Sequence, residues 1–466
     1  MHRLTMLTLF PWQQEDAIWM MDQNSLLASD CGTGKTLIAV EAMKQYAQGP
    51  ILVIAPRMVK EWWAETIRTQ EAGLVGVCQS AGRGIPWDRV AHWGNKRPLA
   101  WVVTHPEAVR ISYQQMLRIR WDTIIVDEAH RFKNRQAKQT KALWKLDARR
   151  KILLTATPYG KSPADMWALL HYMYPRVYTS YWRFYNKYVE SYQPPGQRFA
   201  KVTGGKDLDV LAKEITPFYR RRDVSMLNLP PFTYSDVPVV LNPKQEKLYL
   251  TLVRDAYAEL IGTEIVLQNA LVKFLRLQQC ALDPGTMSED FPLYPLDEVP
   301  AKVEWIQEWL EDNPGEPVVI TSRYRRFVEK WLRDLAPKAT IVGGMKTEQV
   351  QKALKEFERT GILVGSLDAI KEGLNLQKAN TMIITDGTYS SVAEYQLSKR
   401  IHRAGQTRPT QVIHLVGKLS TNKWTVDLLM RRSVNQKFNE AQMLNEFLRE
   451  IKSWQDTGMT KKRSKE

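Results

Sequence analysis

The run Ser29-Asp30-Cys31-Gly32-Thr33-Gly34-Lys35-Thr36 has the residue types and spacing of a phosphate cradle. Glycines at 32 and 34 let backbone N–H groups close on an anion at the start of a helix, where those donors have no partner of their own. Lys35 is placed to reach the β and γ phosphates of a nucleoside triphosphate, and the Thr36 hydroxyl to bind Mg2+. Ser29, Cys31 and Thr33 complete the loop, Ser29 standing where the common pattern has glycine. An apolar run precedes the loop and the helix-forming stretch 37–43 follows it, so the expected context is strand, loop, helix.

A second piece of the same chemistry lies at Thr123-Ile124-Ile125-Val126-Asp127-Glu128-Ala129-His130. An apolar strand ends in two acids. Asp127 at its end can hold Mg2+, and Glu128 can polarise an attacking water. Thr155-Ala156-Thr157-Pro158 follows a third apolar run as a polar strand exit. Far downstream, Gln396-Leu397-Ser398-Lys399-Arg400-Ile401-His402-Arg403-Ala404-Gly405-Gln406 carries a pair of arginines three residues apart. On a helix Arg400 and Arg403 share a face, and aimed at a γ phosphate they would stabilise charge in its transfer.

These residues need a frame. Short β-branched runs at 25–28, 51–54, 101–104, 123–126 and 152–154 are apolar on both faces, as buried parallel strands are, with helical patterns between them. The runs 318–321, 340–342, 362–364, 381–385 and 412–416 repeat the theme, with a helix after Gly343-Gly344 that puts Val350, Leu354 and Phe357 on one face. The expected fold class is α/β: two tandem RecA-like doubly wound parallel-sheet lobes with helical insertions. The first lobe covers 1–240 and carries a helical insertion over about 161–235. The second covers 241–466, with a helical insertion over about 241–300 and a basic tail at 461–466.

The chain has 466 residues, more than one ordinary core accommodates. Its net charge of +16 favours a polyanionic partner. Cys31, Cys78 and Cys280 are scattered, which suggests neither a disulfide framework nor a zinc site. No apolar run approaches the ~20 residues that span a bilayer, and the N-terminus lacks a cleavage pattern. A soluble, cytoplasmic protein is expected.

Taken in chain order, these motifs resemble the Swi/Snf branch of helicase superfamily 2, whose last motif reads QxxxRxHRxGQ, as 396–406 does here. Further pieces match in order: Leu9-Phe10-Pro11-Trp12-Gln13, Ile54-Ala55-Pro56 through Trp62-Trp63-Ala64-Glu65, Thr104-His105-Pro106-Glu107, Lys302, Val318 to Arg323, and Ser366 through Lys371-Glu372-Gly373-Leu374-Asn375. The resemblance implies a nucleic-acid-stimulated ATPase using ATP and Mg2+, with Gln13 reading the adenine and Gly373 near the nucleotide. It implies track contacts from Arg57, Thr104, Ser322, Arg323, Ser366 and Asn375, mostly to phosphates. It gives His130, Thr155, Thr157 and Gln396 the coupling of nucleotide to track. The leading expectation is a translocase on double-stranded or branched DNA, working as a monomer with a possible recruiting protein and of prokaryotic or viral origin. A strand-separating DNA or RNA helicase and a nucleotide-gated nucleic-acid-binding regulator are the alternatives.

Overall fold

The computed structural model describes residues 8–79, 83–92, 98–158, 162–193, 196, 200–262, 267–287, 298–371, 374–387 and 391–436. The chain divides into two compact units, Met1–Asn228 and Leu229–Glu466.

The first unit is built on seven strands: β1 (Ser25–Leu27), β2 (Ile51–Ile54), β3 (Leu74–Val77), β4 (Ala100–Thr104), β5 (Trp121–Asp127), β6 (Ala148–Leu154) and, after a two-stranded antiparallel hairpin of β7 (Val189–Tyr192) and β8 (Lys201–Gly205), β9 (Tyr219–Arg220). Their order is β3-β4-β2-β5-β6-β1-β9, all parallel. Alternate residues of each strand feed opposite cores, because successive side chains of a strand point to opposite faces. Leu26, Leu52, Ile54, Ile124, Val126 and Leu153 pack on one face with the helices Pro106–Met116 and Ala164–Met173. Leu27, Ile51, Val53, Ile125, Ile152 and Leu154 pack on the other, with the helices Lys35–Tyr46 and Lys60–Thr69. Covering both faces is what makes these strands read as unbroken apolar runs.

The second unit carries β10 (Phe232–Val240), β11 (Val318–Ser322), β12 (Thr340–Ile341), β13 (Ile362–Ser366), β14 (Thr381–Ile384) and β15 (Thr410–Lys418), in the order β10-β15-β14-β11-β13-β12 and again all parallel. β10 includes Pro238, which an edge strand tolerates because its outer N–H has no ladder partner to lose. This strand moves the division between the halves to Asn228/Leu229, ahead of the 240 expected from sequence. The region 161–235 is likewise not wholly helical: it holds the β7–β8 hairpin and β9. The helical insertion expected over about 241–300 includes two helices, Pro243–Gly262 and Leu267–Leu282. The basic tail lies outside the described residues. Among the described residues, no helix is long and apolar enough to cross a membrane.

A fully buried ion pair ties the second unit together. Lys302 Nζ donates to Asp427 Oδ2 at 2.6 Å and to the Thr385 carbonyl at 2.7 Å, while Gly417 N donates to the same Asp427 oxygen at 3.0 Å. Removing one partner strands a desolvated charge, so Lys302→Met should destabilise this unit by about 3–5 kcal/mol. Urea unfolding followed by far-UV circular dichroism reads this as an earlier transition, and Lys302→Met/Asp427→Leu should recover much of the loss. A single variant that unfolds with the wild type contradicts the expectation.

Candidate functional site

A parallel sheet brings the carboxyl ends of all its strands to one edge, and the chemistry collects there. The register is specific: Leu27 at the end of β1 pairs with Leu154 at the end of β6, and Leu154 pairs with Asp127 at the end of β5. The phosphate loop, the acidic pair and Thr155–Pro158 therefore leave three adjacent strands at one level. Ile54 of β2 sits beside both Val126 and Thr104, which adds Arg57 and His105 to the same edge.

The loop is held open by its glycines and its neighbours. Gly32 and Gly34 have φ of 82° and 81°, the left-handed region in which a side chain is strained. A Cβ on Gly34 would also come within 2.5 Å of Gln13 Nε2. Lys35 heads the helix and donates to the Ser29 and Asp30 carbonyls at 2.7 and 2.9 Å, so its ammonium lies across the loop. Thr36, in the first turn, is half-buried. Gln13 is almost fully buried. Its amide donates to the Thr33 carbonyl at 2.9 Å and accepts from Phe10 N at 2.9 Å. It thus clamps the phosphate loop.

Asp127 is held from two sides. Trp63 Nε1 donates to Oδ2 and Glu128 N to Oδ1, both at 2.9 Å. Burial and then the Glu128 charge push its carboxyl up to about 6, against the pull of the Trp63 hydrogen bond and the Lys35 charge. A buried carboxylate that resists ionising is one that a cation would stabilise. Glu128 itself adopts the left-handed conformation, φ 49° and ψ 49°, uncommon for a residue with a side chain and typical of functional turns. His130 Nδ1 lies 3.3 Å from Glu128 Oε2 and 3.2 Å from Thr155 Oγ1, which in turn accepts from Thr157 N at 3.1 Å. The residues expected to couple nucleotide to track, His130, Thr155 and Thr157, so form one chain of contacts with Glu128.

Behind the loop, Asp16 is fully buried and takes Arg220 at 2.9 Å and Arg222 at 2.8 Å. Arg222 N donates to Ser29 Oγ, Asp30 N to the Arg222 carbonyl, and Val224 N to Asp30 Oδ2. β9 and the residues after it thereby brace the cradle from outside.

In the second unit the organising group is Asp386, beyond the end of β14. It accepts from Ser322 Oγ at 2.6 Å, Thr385 Oγ1 at 2.8 Å and Arg323 N at 3.1 Å. The arginine-bearing segment is not helical throughout. Its helix, Ser391–Ser398, ends before Arg400, whose carbonyl instead accepts from Leu376 N at 3.1 Å. Gln406 completes the tie by donating to the Gln377 and Ala379 carbonyls, both at 2.9 Å, and Gly405 takes φ 94° to pass Gln377. Arg400 and Arg403 therefore sit in turns fastened to the 374–379 segment. Arg400 is buried, with an Nε that meets no hydrogen-bond partner among the described residues, and Arg403 is half-buried.

The family model for the SNF2-related domain matches residues 12–286, more than half of the chain. The chain belongs to the SNF2-related family. The helicase conserved C-terminal domain matches 301–405 of the same SNF2-related chain. Protein CHROMATIN REMODELING 4 of Arabidopsis thaliana is 26% identical over 455 residues, 89% of this chain and 20% of that protein. YwqA of Bacillus subtilis, provisionally named an ATP-dependent helicase/translocase, is 25% identical over 473 residues, 96% of this chain and 49% of that protein. The chain thus spans half or less of these curated relatives. The Sulfolobus solfataricus SWI2/SNF2 ATPase core solved in complex with dsDNA aligns with a TM-score of 0.43 at 21% identity, covering 96% of this chain and 97% of that one.

Several of the residues expected to contact the track are buried in this structure. Thr104 and Ser322 are fully buried, and Ser366, also buried, accepts from Gly343 N at 3.2 Å. Arg323 is drawn toward Asp386, Gln278 and Tyr324. Arg57 is exposed, whereas Asn375 is half-buried with a side-chain Oδ1 that is buried and meets no hydrogen-bond partner among the described residues. Gln396 lies half-buried on the helix before the arginines. Gly373 lies outside the described residues.

Sequence reasoning missed Trp63. Its place in a motif of the SNF2-related family was visible, but nothing in spacing links position 63 to 127. Trp63→Phe keeps most of the buried ring and removes the donor. It should weaken Mg2+-dependent nucleotide binding about tenfold or more, the worth of one hydrogen bond to a charged group, with thermal melting close to wild type. Titration of a fluorescent nucleotide at graded Mg2+ checks this, and an unaltered Mg2+ dependence contradicts it.

Proposed function

We propose that this chain is the ATP-hydrolysing motor of a translocase that moves on double-stranded or branched DNA. The carrying observation is the row of β1, β5 and β6 ends, where cradle, acidic pair and coupling threonines meet at one level. Family membership, the +16 charge and the names of the relatives support the choice of DNA.

In this reading, the 29–34 backbone and Lys35 bind the β and γ phosphates. Glu128, placed by its left-handed turn beside His130, orients and deprotonates the attacking water. Arg400 and Arg403 supply positive charge to the γ-phosphoryl group as it leaves. Asp127 and Thr36 would hold Mg2+, which neutralises phosphate charge when bound. Their donor set fits: one carboxylate and one hydroxyl suit an ion that brings water and phosphate oxygens of its own. Among the described residues no group of three or more His, Cys, Asp or Glu forms a protein-only metal centre, consistent with a metal that arrives with the nucleotide. Product formation at Glu128 reaches Thr155 and Thr157 through His130, which gives chemistry a route to the track-facing edge.

Displacement of a third strand from a triplex tests movement directly. The proposal expects release with ATP and none with a non-hydrolysable analogue. A flat trace with both, from protein that binds duplex, contradicts it. Release of free single strands from a blunt-flanked fork would shift the reading to a strand-separating helicase.

A further inference from the structure

The helix Tyr181–Tyr188 buries Phe184 and Tyr188 and leaves other rings outside. Trp182 is 60% exposed, an unusual position for the largest apolar side chain. Tyr181 and Tyr185 flank it, half-buried, with ring centroids 5.2 and 5.5 Å from the indole. Arg135 reaches over from another segment, its guanidinium 4.1 Å from the Tyr181 centroid and 5.9 Å from that of Trp182. Arg135 is half-buried, hydrogen-bonds Tyr181 and makes no ion pair among the described residues. Arg183, exposed on the same helix, adds a second cation.

The loop that carries Arg135 begins where the 3-10 turn Ala129–Phe132 ends, and that turn follows directly on Asp127 and Glu128. The loop is tied to the helix Ala164–Met173 by Lys133, 3.3 Å from Asp165, and within it Asn134 Oδ1 accepts from Gln136 N at 2.9 Å. The aromatic face is thus fixed to the segment that ends in the acidic pair, not to a separate module.

We propose that Arg135, Tyr181, Trp182 and Tyr185 form a stacking platform for unpaired bases of single-stranded nucleic acid. This rests on the DNA-motor reading and adds a second mode of contact to it. Exposed aromatic faces with an arginine plane among them suit bases of any sequence, since every base offers a π-face. The cations suit the backbone between the bases. A protein partner could also bury such rings, but the two arginines at the face, one stacked on the rings and one exposed beside them, favour a polyanion. The platform would let a motor on branched DNA hold the unpaired arm while its nucleotide site cycles.

Fluorescence anisotropy with a labelled short oligothymidylate and with a blunt duplex of the same length tests this on the full chain. Trp182→Ala and Arg135→Gln should each weaken oligothymidylate binding about tenfold, and Trp182→Phe should stay within about twofold of wild type. Duplex binding and duplex-stimulated ATP hydrolysis should not change in any of them. Oligothymidylate binding unaltered in Trp182→Ala assigns the face to a protein partner and overturns the proposal. Equal losses for duplex and oligothymidylate overturn it as well, as a general effect of charge or fold. A wild type that binds duplex but no oligothymidylate defeats this inference alone, whereas one that binds neither defeats the motor reading too.

Discussion

Arg403→Ala is expected, on the proposed function, to lower the rate of ATP hydrolysis by about 10³–10⁵-fold while nucleotide still binds, because the role proposed for this arginine acts on charge that develops only in the transition state. Arg403 is half-buried and sits in a turn anchored by Gln406 and Gly405, so the backbone survives loss of its side chain. Arg403→Lys should recover little, since a point charge on a flexible stem does not reproduce the planar fork. Arg400 differs. Its side chain is buried, so Arg400→Ala also opens a void within the second unit. Arg400→Ala should therefore lose hydrolysis and also melt earlier, whereas Arg403→Ala should melt with the wild type. Single-turnover hydrolysis, nucleotide binding and thermal melting on both variants check the pair. Full hydrolysis in Arg403→Ala would remove the second unit from the chemistry.

Glu128→Gln is expected to cut turnover by about 10²–10⁴-fold, the usual worth of a positioned general base. The amide keeps the size of the carboxylate and cannot accept the water's proton. Nucleotide affinity should hold or rise, because the substitution removes a negative charge close to the phosphates. It also removes the second-largest cause of the raised Asp127 value, leaving burial as the main one. His130 stands 3.3 Å from Glu128 Oε2 and 3.2 Å from Thr155 Oγ1, so the same change disturbs the route toward Thr155 and Thr157. Glu128→Gln should therefore trap ATP-bound protein on DNA, visible as slower dissociation from duplex in ATP than in ADP. Wild-type turnover in this variant would move the base elsewhere.

The chemistry was legible in the sequence where it constrains residue type and neighbours at once. A phosphate loop needs glycines, a lysine and a hydroxyl in fixed order, and buried parallel strands need unbroken apolar runs. Both survive reading without coordinates. What escaped depends on contacts between distant segments or on strands that lack those runs. β3 lies at an edge, contains Gly76 and exposes Leu74. β9 has only Tyr219 and Arg220 and is hidden in a basic run. β10 alternates polar residues with Pro238, as an edge permits. Arg400 and Arg403 have helical spacing, yet the Leu376 N–H draws the Arg400 carbonyl out of helical geometry. The hold of Asp386 on Ser322 Oγ and Arg323 N, more than sixty positions away, could not be read from spacing. The bridge that the Gln13 amide makes between Phe10 and Thr33 likewise joins segments that spacing alone does not connect.

The most direct measurement is the steady-state rate of ATP hydrolysis by the full chain, alone and with saturating blunt duplex DNA, single-stranded DNA or RNA, with Glu128→Gln as the control. A DNA motor predicts a rate that climbs with duplex and vanishes in the control under every condition. A rate that is the same with all three polymers as with none contradicts it.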